Sequence, residues 1–339
     1  MSERVTVLGA GSWGSIVANL LDQNGNHVTI WSRNQSQVEQ LNQAHTNNKY
    51  LPNFKYSKTL VATSNLTDAI QNADSIVFAV PAQSIRLVAK KVENRLEQLK
   101  LKPNIIHVSK GLETTTSELL SQVLAEEIHI DHRKSISVIS GPSQAEDVAR
   151  KDITLVTAAS DDINAATHAQ KLFMNHYFRV YTNTDMIGVE IGAALKNIIA
   201  LGAGALSGLG YGDNAKAALM VRGLAEISRL GTTFGANPLT FTGLSGVGDI
   251  IVTATSHDSR NWQAGYQLGQ GKSLDQVVKN IGMVIEGIDT TKVAYRLAKK
   301  RGVEMPITTA IYYVLYGKIG IKDAISQLML RDRKSELDN

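Results

Sequence analysis

Apolar and polar positions alternate along the first half of this chain in two distinct periods. A short apolar run, "VTVL" (5–8), leads through glycines into "SIVANLLDQ" (15–23), whose apolar residues recur at helical spacing. A second apolar run, "HVTIW" (27–31), follows at once. Runs of this kind predict strands at 4–8, 27–31, 75–80, 104–108, 136–140, 153–158 and 177–181. Amphipathic stretches such as "SIRLVAKKVENRLEQL" (84–99) lie between them. That alternation predicts an α/β fold, a Rossmann-like, doubly wound, mostly parallel sheet with helices on both faces. From about Met186 the strand signals fade and helical patterns take over, at 217–235, 289–302 and 310–319. The expected organisation is a dinucleotide-binding domain over 1–185 and an all-helical substrate-binding and catalytic domain over 186–335. The polar end "RDRKSELDN" reads as a solvated tail.

One stretch tests that division. "MIGVEIGAALKNIIALGAGALSGLG" (186–210) is long and mostly apolar, as a membrane span would be. It contains Glu190 and Lys196 and many glycines, and no aromatic or basic belt flanks it. A helix that is apolar nearly all round is then expected at the centre of a globular core. Its glycines repeat the opening motif loosely but follow a helix, so close helix packing accounts for them.

Composition narrows the chemistry. The chain has no cysteine, which excludes thiolate catalysis, disulfides and cysteine-based metal sites. A formal charge of +4 over 339 residues, with Lys and Arg scattered, suits a small anion and disfavours nucleic acid. The N-terminus enters a strand within a few residues and shows no signal-peptide pattern, so the cytoplasm is the expected compartment. His129 and His132 in "EEIHIDH" could suggest a metal, but nothing else has ligand spacing to them, and no metal is expected. "SHD" (256–258) is no hydrolase signal, because triads are assembled from distant segments.

Gly9, Gly11 and Gly14 match G-x-G-x-x-G between a predicted strand and a predicted helix, where such a turn cradles a dinucleotide pyrophosphate. An acidic residue normally follows the second strand to hold the ribose of NAD; here Arg33 stands there, suited to stack on adenine or pair with a 2′-phosphate. Lys110 follows another strand, in "IIHVSKG", and "SGPS" places Gly141 and Ser143 at a turn into a helix. Lys196 is the most informative residue. Its neighbours one turn away are Gly192, Ala193, Ile199 and Ala200, so it is buried, and a buried lysine needs a partner or a use. Apolar surroundings and a nearby cation such as Lys110 would lower its pKa toward the range of a general acid–base. Asp249 could orient it, and Arg260 with Asn261 makes a fork and an amide suited to a phosphate.

The pieces "VLGAGSWG", "FAVPAQ", "SKGLE", "SGPS", "EIGAALKNIIA", "GVGDI", "SRN" and "VIEG" occur together, in order, along essentially the whole chain. In them the chain resembles the bacterial-type NAD(P)-dependent glycerol-3-phosphate dehydrogenases. That resemblance implies interconversion of dihydroxyacetone phosphate and sn-glycerol 3-phosphate with NAD or NADP, supplying glycerol phosphate for phospholipids, and a homodimer. It implies Lys196 as acid/base, with Lys110 touching cofactor and substrate. Gly141, Ser143, Asp249, Ser259, Arg260 and Asn261 would hold the substrate. Ser12, Trp13, Arg33, Ala145, Arg260, Val284 and Glu286 would touch the cofactor. The rivals are another two-domain hydroxyacid dehydrogenase, of β-hydroxyacid or 6-phosphogluconate type, and a catalytically silent NAD(P)-sensing module.

Overall fold

Eight strands form one sheet in the computed structural model, whose described residues are 2–333, 335 and 336. They are β1 (Arg4–Leu8), β2 (His27–Trp31), β3 (Val61–Thr63), β4 (Ser75–Phe78), β5 (Asn104–His107), β6 (Ser135–Ser140), β7 (Thr154–Ala159) and β8 (Phe178–Asn183). Their order is β3-β2-β1-β4-β5-β6-β7-β8. All neighbours run parallel except β6 and β7, which pair antiparallel through Val138↔Ala159 and Ser140↔Thr157. The chain winds outward from β1 to β3, then returns to lay β4 on the other side of β1. The carboxyl ends of β1 and β4 therefore flank the switch point where open α/β sheets bind ligands.

Side-chain alternation explains why both faces are covered. Val5, Val7 and Val77 face one core with Ile16, Leu20 and Phe173 of the helices Ser12–Gln23 and Ile163–Phe173. Leu8, Ile76 and Phe78 face the other with Ile85, Val92 and Leu124 of Ile85–Leu99 and Leu120–Glu127. Strands buried on both faces read as continuous apolar runs, which is why they stood out in the sequence.

The chain divides into two compact units, Met1–Lys110 with Glu118–Met186, and Gly111–Ser117 with Ile187–Asn339. The sequence offered no sign of the 111–117 excursion. In the second unit Arg296 donates to the Thr114 carbonyl, and Leu112 is buried. Among the described residues no strand follows Asn183. One helix, Met186–Gly208, is long and apolar enough to cross a membrane, yet 94% of its most apolar window is buried inside the protein. Its glycines mark close approaches: a Cβ on Gly204 would lie 2.0 Å from the Trp262 carbonyl oxygen, and one on Gly208 2.3 Å from that of Tyr266. Of the polar tail, Arg331, Asp332, Arg333, Ser335 and Glu336 are exposed, while Lys334 and 337–339 lie outside the described residues.

One buried carboxylate organises the helical unit. The helix Pro306–Leu315 has no side-chain cap of its own. Glu226, 1% exposed on the helix Asp213–Thr232, accepts from the N–H groups of Ile307 (2.6 Å) and Thr308 (3.0 Å) and from Thr308 Oγ1 (3.0 Å). It supplies in trans the cap that helix N-termini require. Burial pushes the Glu226 carboxyl above its ordinary 4.5, opposed by those three donors. Glu226→Gln turns an amide NH2 toward donors, with an expected cost of about 1–3 kcal/mol. The raised value also sets the sign of a pH effect. The folded state keeps its proton longer, so the stability this titration contributes is present below 4.5 and lost as pH rises through the folded value. Denaturation midpoints at pH 5 and pH 8 should show the gap between wild type and Glu226→Gln narrowing as pH rises; a widening gap would contradict the assignment.

Candidate active site

In the sheet unit, β1 runs into the glycine turn at the switch point. Gly9 has φ +112 and donates its N–H to the Trp31 carbonyl at 2.9 Å. A Cβ on Gly9 would lie 2.7 Å from Ala79 O, and one on Gly14 2.1 Å from Gly9 O, so neither position admits a larger residue without moving backbone. A Cβ on Gly11 would meet nothing within 4 Å, the open space that approach of a ligand to the backbone requires. The helix Ser12–Gln23 starts there with no side-chain cap. Ser12 donates its hydroxyl to Tyr50 O at 3.1 Å, and the buried indole nitrogen of Trp13 has no partner. An uncapped helix start, an open glycine and an indole N–H without an acceptor fit a dinucleotide at this turn. At the end of β2, Ser32 is buried, Arg33 is exposed, and Asn34 accepts from Gln37 N as cap of the helix Gln35–Glu39.

Lys110, three residues past the end of β5, donates from Nζ to the Gly141 carbonyl at 2.8 Å. Ser143 Oγ donates to the same oxygen at 2.9 Å. Gly141 has φ +136, and a Cβ there would sit 3.0 Å from Val156 Cα. Ala145 opens the short helix Ala145–Ala149 beyond this turn. Lys110, Gly141, Ser143 and Ala145 thus gather past the carboxyl ends of β5 and β6.

In the helical unit, Lys196 lies on the Met186–Gly208 helix with its side chain 7% exposed, against an Asp249 that is fully buried. Its Nζ donates to Asp249 Oδ1 and, at 2.6 Å, to Thr253 Oγ1. Asp249 and Thr253 are four residues apart on the helix Asp249–Thr255 and so share a face. Thr253 Oγ1 in turn donates to the Asp249 backbone carbonyl at 2.6 Å. Gly192, one turn before Lys196, lets the partner segment approach, since a Cβ there would stand 2.5 Å from Ser245 O. The carboxylate compensates a charge that burial would otherwise penalise by several kcal/mol.

Asn261 is held at both ends of its amide. Nδ2 donates to Asn197 Oδ1 (2.9 Å), and Oδ1 accepts from Gly287 N (2.9 Å). Ser259, buried, caps the helix Arg260–Gly269. Arg260 is exposed and gives one N–H to the Val284 carbonyl at 2.9 Å, leaving most of its fork available; Glu286 starts the helix Glu286–Arg301 two residues later. The residues singled out in the sequence therefore fall into two sets, Gly9 to Ala145 in the sheet unit and Lys196 to Glu286 in the helical unit. Thr253 and Asn197 were missed. Thr253 was within reach, because a hydroxyl four residues after Asp249 on one helix faces the same way.

The remaining suggestive residues are otherwise engaged. His132 Nδ1 is 2.8 Å from Glu93 Oε1, and among the described residues no group of three or more His, Asp or Glu could hold a metal. The His257 ring packs on Trp262 at 4.4 Å, and Ser256 accepts from Asp258 N.

Sequence comparison matches residues 4–166 to the profile described as NAD-dependent glycerol-3-phosphate dehydrogenase N-terminus. Residues 185–326 match the corresponding C-terminus. A glycerol-3-phosphate dehydrogenase of Levilactobacillus brevis, named for NAD(P)+, is 63% identical over 336 residues, 99% of this chain and 100% of the relative. The Lactiplantibacillus plantarum protein of the same name is 63% identical over 99% of this chain and 100% of its own. Among solved structures, the glycerol-3-phosphate dehydrogenase of Coxiella burnetii superposes with a TM-score of 0.91 at 35% identity, covering 97% of this chain and 99% of that one.

Proposed function

The chain belongs to the NAD-dependent glycerol-3-phosphate dehydrogenase family, and from that premise we propose how its own residues carry the reaction. It is an oxidoreductase that interconverts sn-glycerol 3-phosphate and dihydroxyacetone phosphate with NAD(P). When bound, the nicotinamide supplies the hydride that reduces the carbonyl carbon. Lys196 gives its proton to the carbonyl oxygen as charge develops there, and takes it back in the oxidative direction. Asp249 and Thr253 hold the ammonium in one place, so little reorganisation is needed at the moment of transfer. Lys110, anchored on the Gly141 carbonyl, adds positive charge for cofactor and substrate. Arg260 binds phosphate with the part of its fork that Val284 leaves available, and Asn261 contributes its remaining N–H. Gly141, Ser143 and Ser259 complete the substrate contacts. Gly9, Gly11, Ser12, Trp13, Gly14, Arg33, Ala145, Val284 and Glu286 complete those to cofactor. In domain terms, 1–185 binds dinucleotide and 186–335 binds substrate.

The observation that carries this reading is the buried Lys196–Asp249 pair, a charge placed in an otherwise apolar helix. The test is a steady-state assay of dihydroxyacetone phosphate with NADH and with NADPH; oxidation of cofactor by 3-oxoacids alone would overturn it. Arg260→Ala is expected to raise KM for dihydroxyacetone phosphate by about tenfold or more, the loss of a charge-assisted contact, with a smaller effect on kcat. An unchanged KM would remove Arg260 from the phosphate site.

A homodimer in the cytoplasm, supplying glycerol phosphate for lipid synthesis, is the proposed setting. Light scattering should give twice the 36.7 kDa of one chain.

A further inference from the structure

We propose that Asn47 and Gln37 are positioning residues for the cofactor: together they clamp the Ala10 carbonyl and so fix the glycine turn and the Arg33 loop as one unit. The proposal rests on the assignment of that turn to NAD(P). Asn47 is 1% exposed and lies far along the chain from the turn it holds. Its Nδ2 donates to Ala10 O at 2.9 Å and to Ser15 Oγ at 2.8 Å. Gln37 Nε2 donates to the same Ala10 oxygen and, at 3.0 Å, to Asn47 Oδ1. Gln37 Oε1 accepts from Ser32 Oγ at 2.6 Å, and Ser32 Oγ accepts from Asn34 N at 3.2 Å.

All four amide hydrogens are committed, two from each side chain, and both amide oxygens that the network uses accept from a donor. Neither amide can be turned over without placing its own carbonyl oxygen against the Ala10 carbonyl oxygen, which only accepts, so the network has a single arrangement. Its target is informative. The Ala10 carbonyl receives both lone-pair contacts from side chains, and the peptide is planar and trans. Holding that oxygen toward Asn47 and Gln37 therefore aims the Gly11 N–H to the opposite side. The same turn grips the motif again, since Tyr50, whose N–H bonds to Asn47 O, accepts from Ser12 Oγ. Through Gln37 and Ser32 the network continues to residues 32–34, which carry Arg33. A glycine turn is otherwise a floppy place to build an anion site, because glycine has the most backbone freedom to lose. The clamp removes that freedom before the cofactor arrives.

The experiment is Asn47→Asp in the full chain. The substitution keeps the volume and deletes both donors. Binding of NADH and NADPH is read directly by fluorescence titration without substrate, and kinetics with dihydroxyacetone phosphate are read separately. The expected result is a Kd for cofactor raised about tenfold or more, KM for dihydroxyacetone phosphate unchanged, and kcat at saturating cofactor within about threefold of wild type. A network that only stabilised the fold would lower Tm and leave cofactor Kd where it was, and that outcome overturns the proposal. So does a loss of kcat with unchanged Kd. If Asn47→Asp does not fold, Gln37→Leu removes one arm of the clamp from a half-buried position and is judged on the same Kd. Because the binding titration needs no turnover, wild type that binds NADH yet fails to reduce dihydroxyacetone phosphate would refute the proposed reaction and leave the clamp standing.

Discussion

Lys196→Met will lower kcat for dihydroxyacetone phosphate reduction by about two to four orders of magnitude, the range a positioned proton donor supplies. Cofactor Kd will stay near the wild-type value, because Lys196 is assigned to proton transfer and every residue assigned to the cofactor is left in place. Met is the informative replacement. It preserves most of the apolar stem and removes the ammonium together with its bonds to Asp249 and Thr253. Single-turnover kinetics would place the loss in the chemical step. A primary isotope effect from deuterated cofactor should become fully expressed in the variant, since hydride transfer becomes the slow step. Near-normal kcat would exclude Lys196 as the acid and leave water or Lys110 to supply the proton.

What could be read from the sequence, and what could not, follows from the range of the interactions involved. Seven of the eight strands were predicted; the central ones are apolar runs, visible because a strand covered on both faces has no polar alternation to hide it, while the edge strand Phe178–Asn183 alternates buried and exposed residues. The missing strand, Val61–Thr63, is three residues long, with Val61 54% exposed, and follows an irregular stretch without periodicity. The glycine turn was legible because backbone conformation at Gly9 and Gly14 excludes other residues. Lys196 was legible because a charge in an apolar helix contradicts its surroundings, and Asp249 because such a charge needs a counterpart. Neutral amides carry no such contradiction. Asn47, Asn197 and Gln37 look like any solvated polar residue until tertiary packing shows what they touch. The excursion of 111–117 into the helical unit is likewise invisible, since nothing local in "GLETTTS" distinguishes it from a surface loop.

Asp249→Asn and Lys196→Met will each cost stability, because each removes one member of a buried ion pair. Replacing the carboxylate takes the Asp249 charge away from a Lys196 side chain that is only 7% exposed, and breaking a buried pair from one side costs about 3–5 kcal/mol. Lys196→Met breaks the same pair from the other side and takes the ammonium from an Asp249 side chain that is fully buried, so its cost falls in the same range. Urea midpoints of the two variants against wild type measure the difference. The double variant Lys196→Met, Asp249→Leu then separates two reasons for the pair to exist. Hydrophobic replacement of both members of a buried ion pair is often neutral or stabilising. The double variant is therefore expected to regain most of the stability lost in Asp249→Asn while remaining as inactive as Lys196→Met. Recovery of stability without turnover would show that the fold does not need this charge pair and the reaction does. Failure of the double variant to recover would instead make the pair a structural requirement of the Met186–Gly208 helix, and the inactivity of Lys196→Met would no longer identify a proton donor.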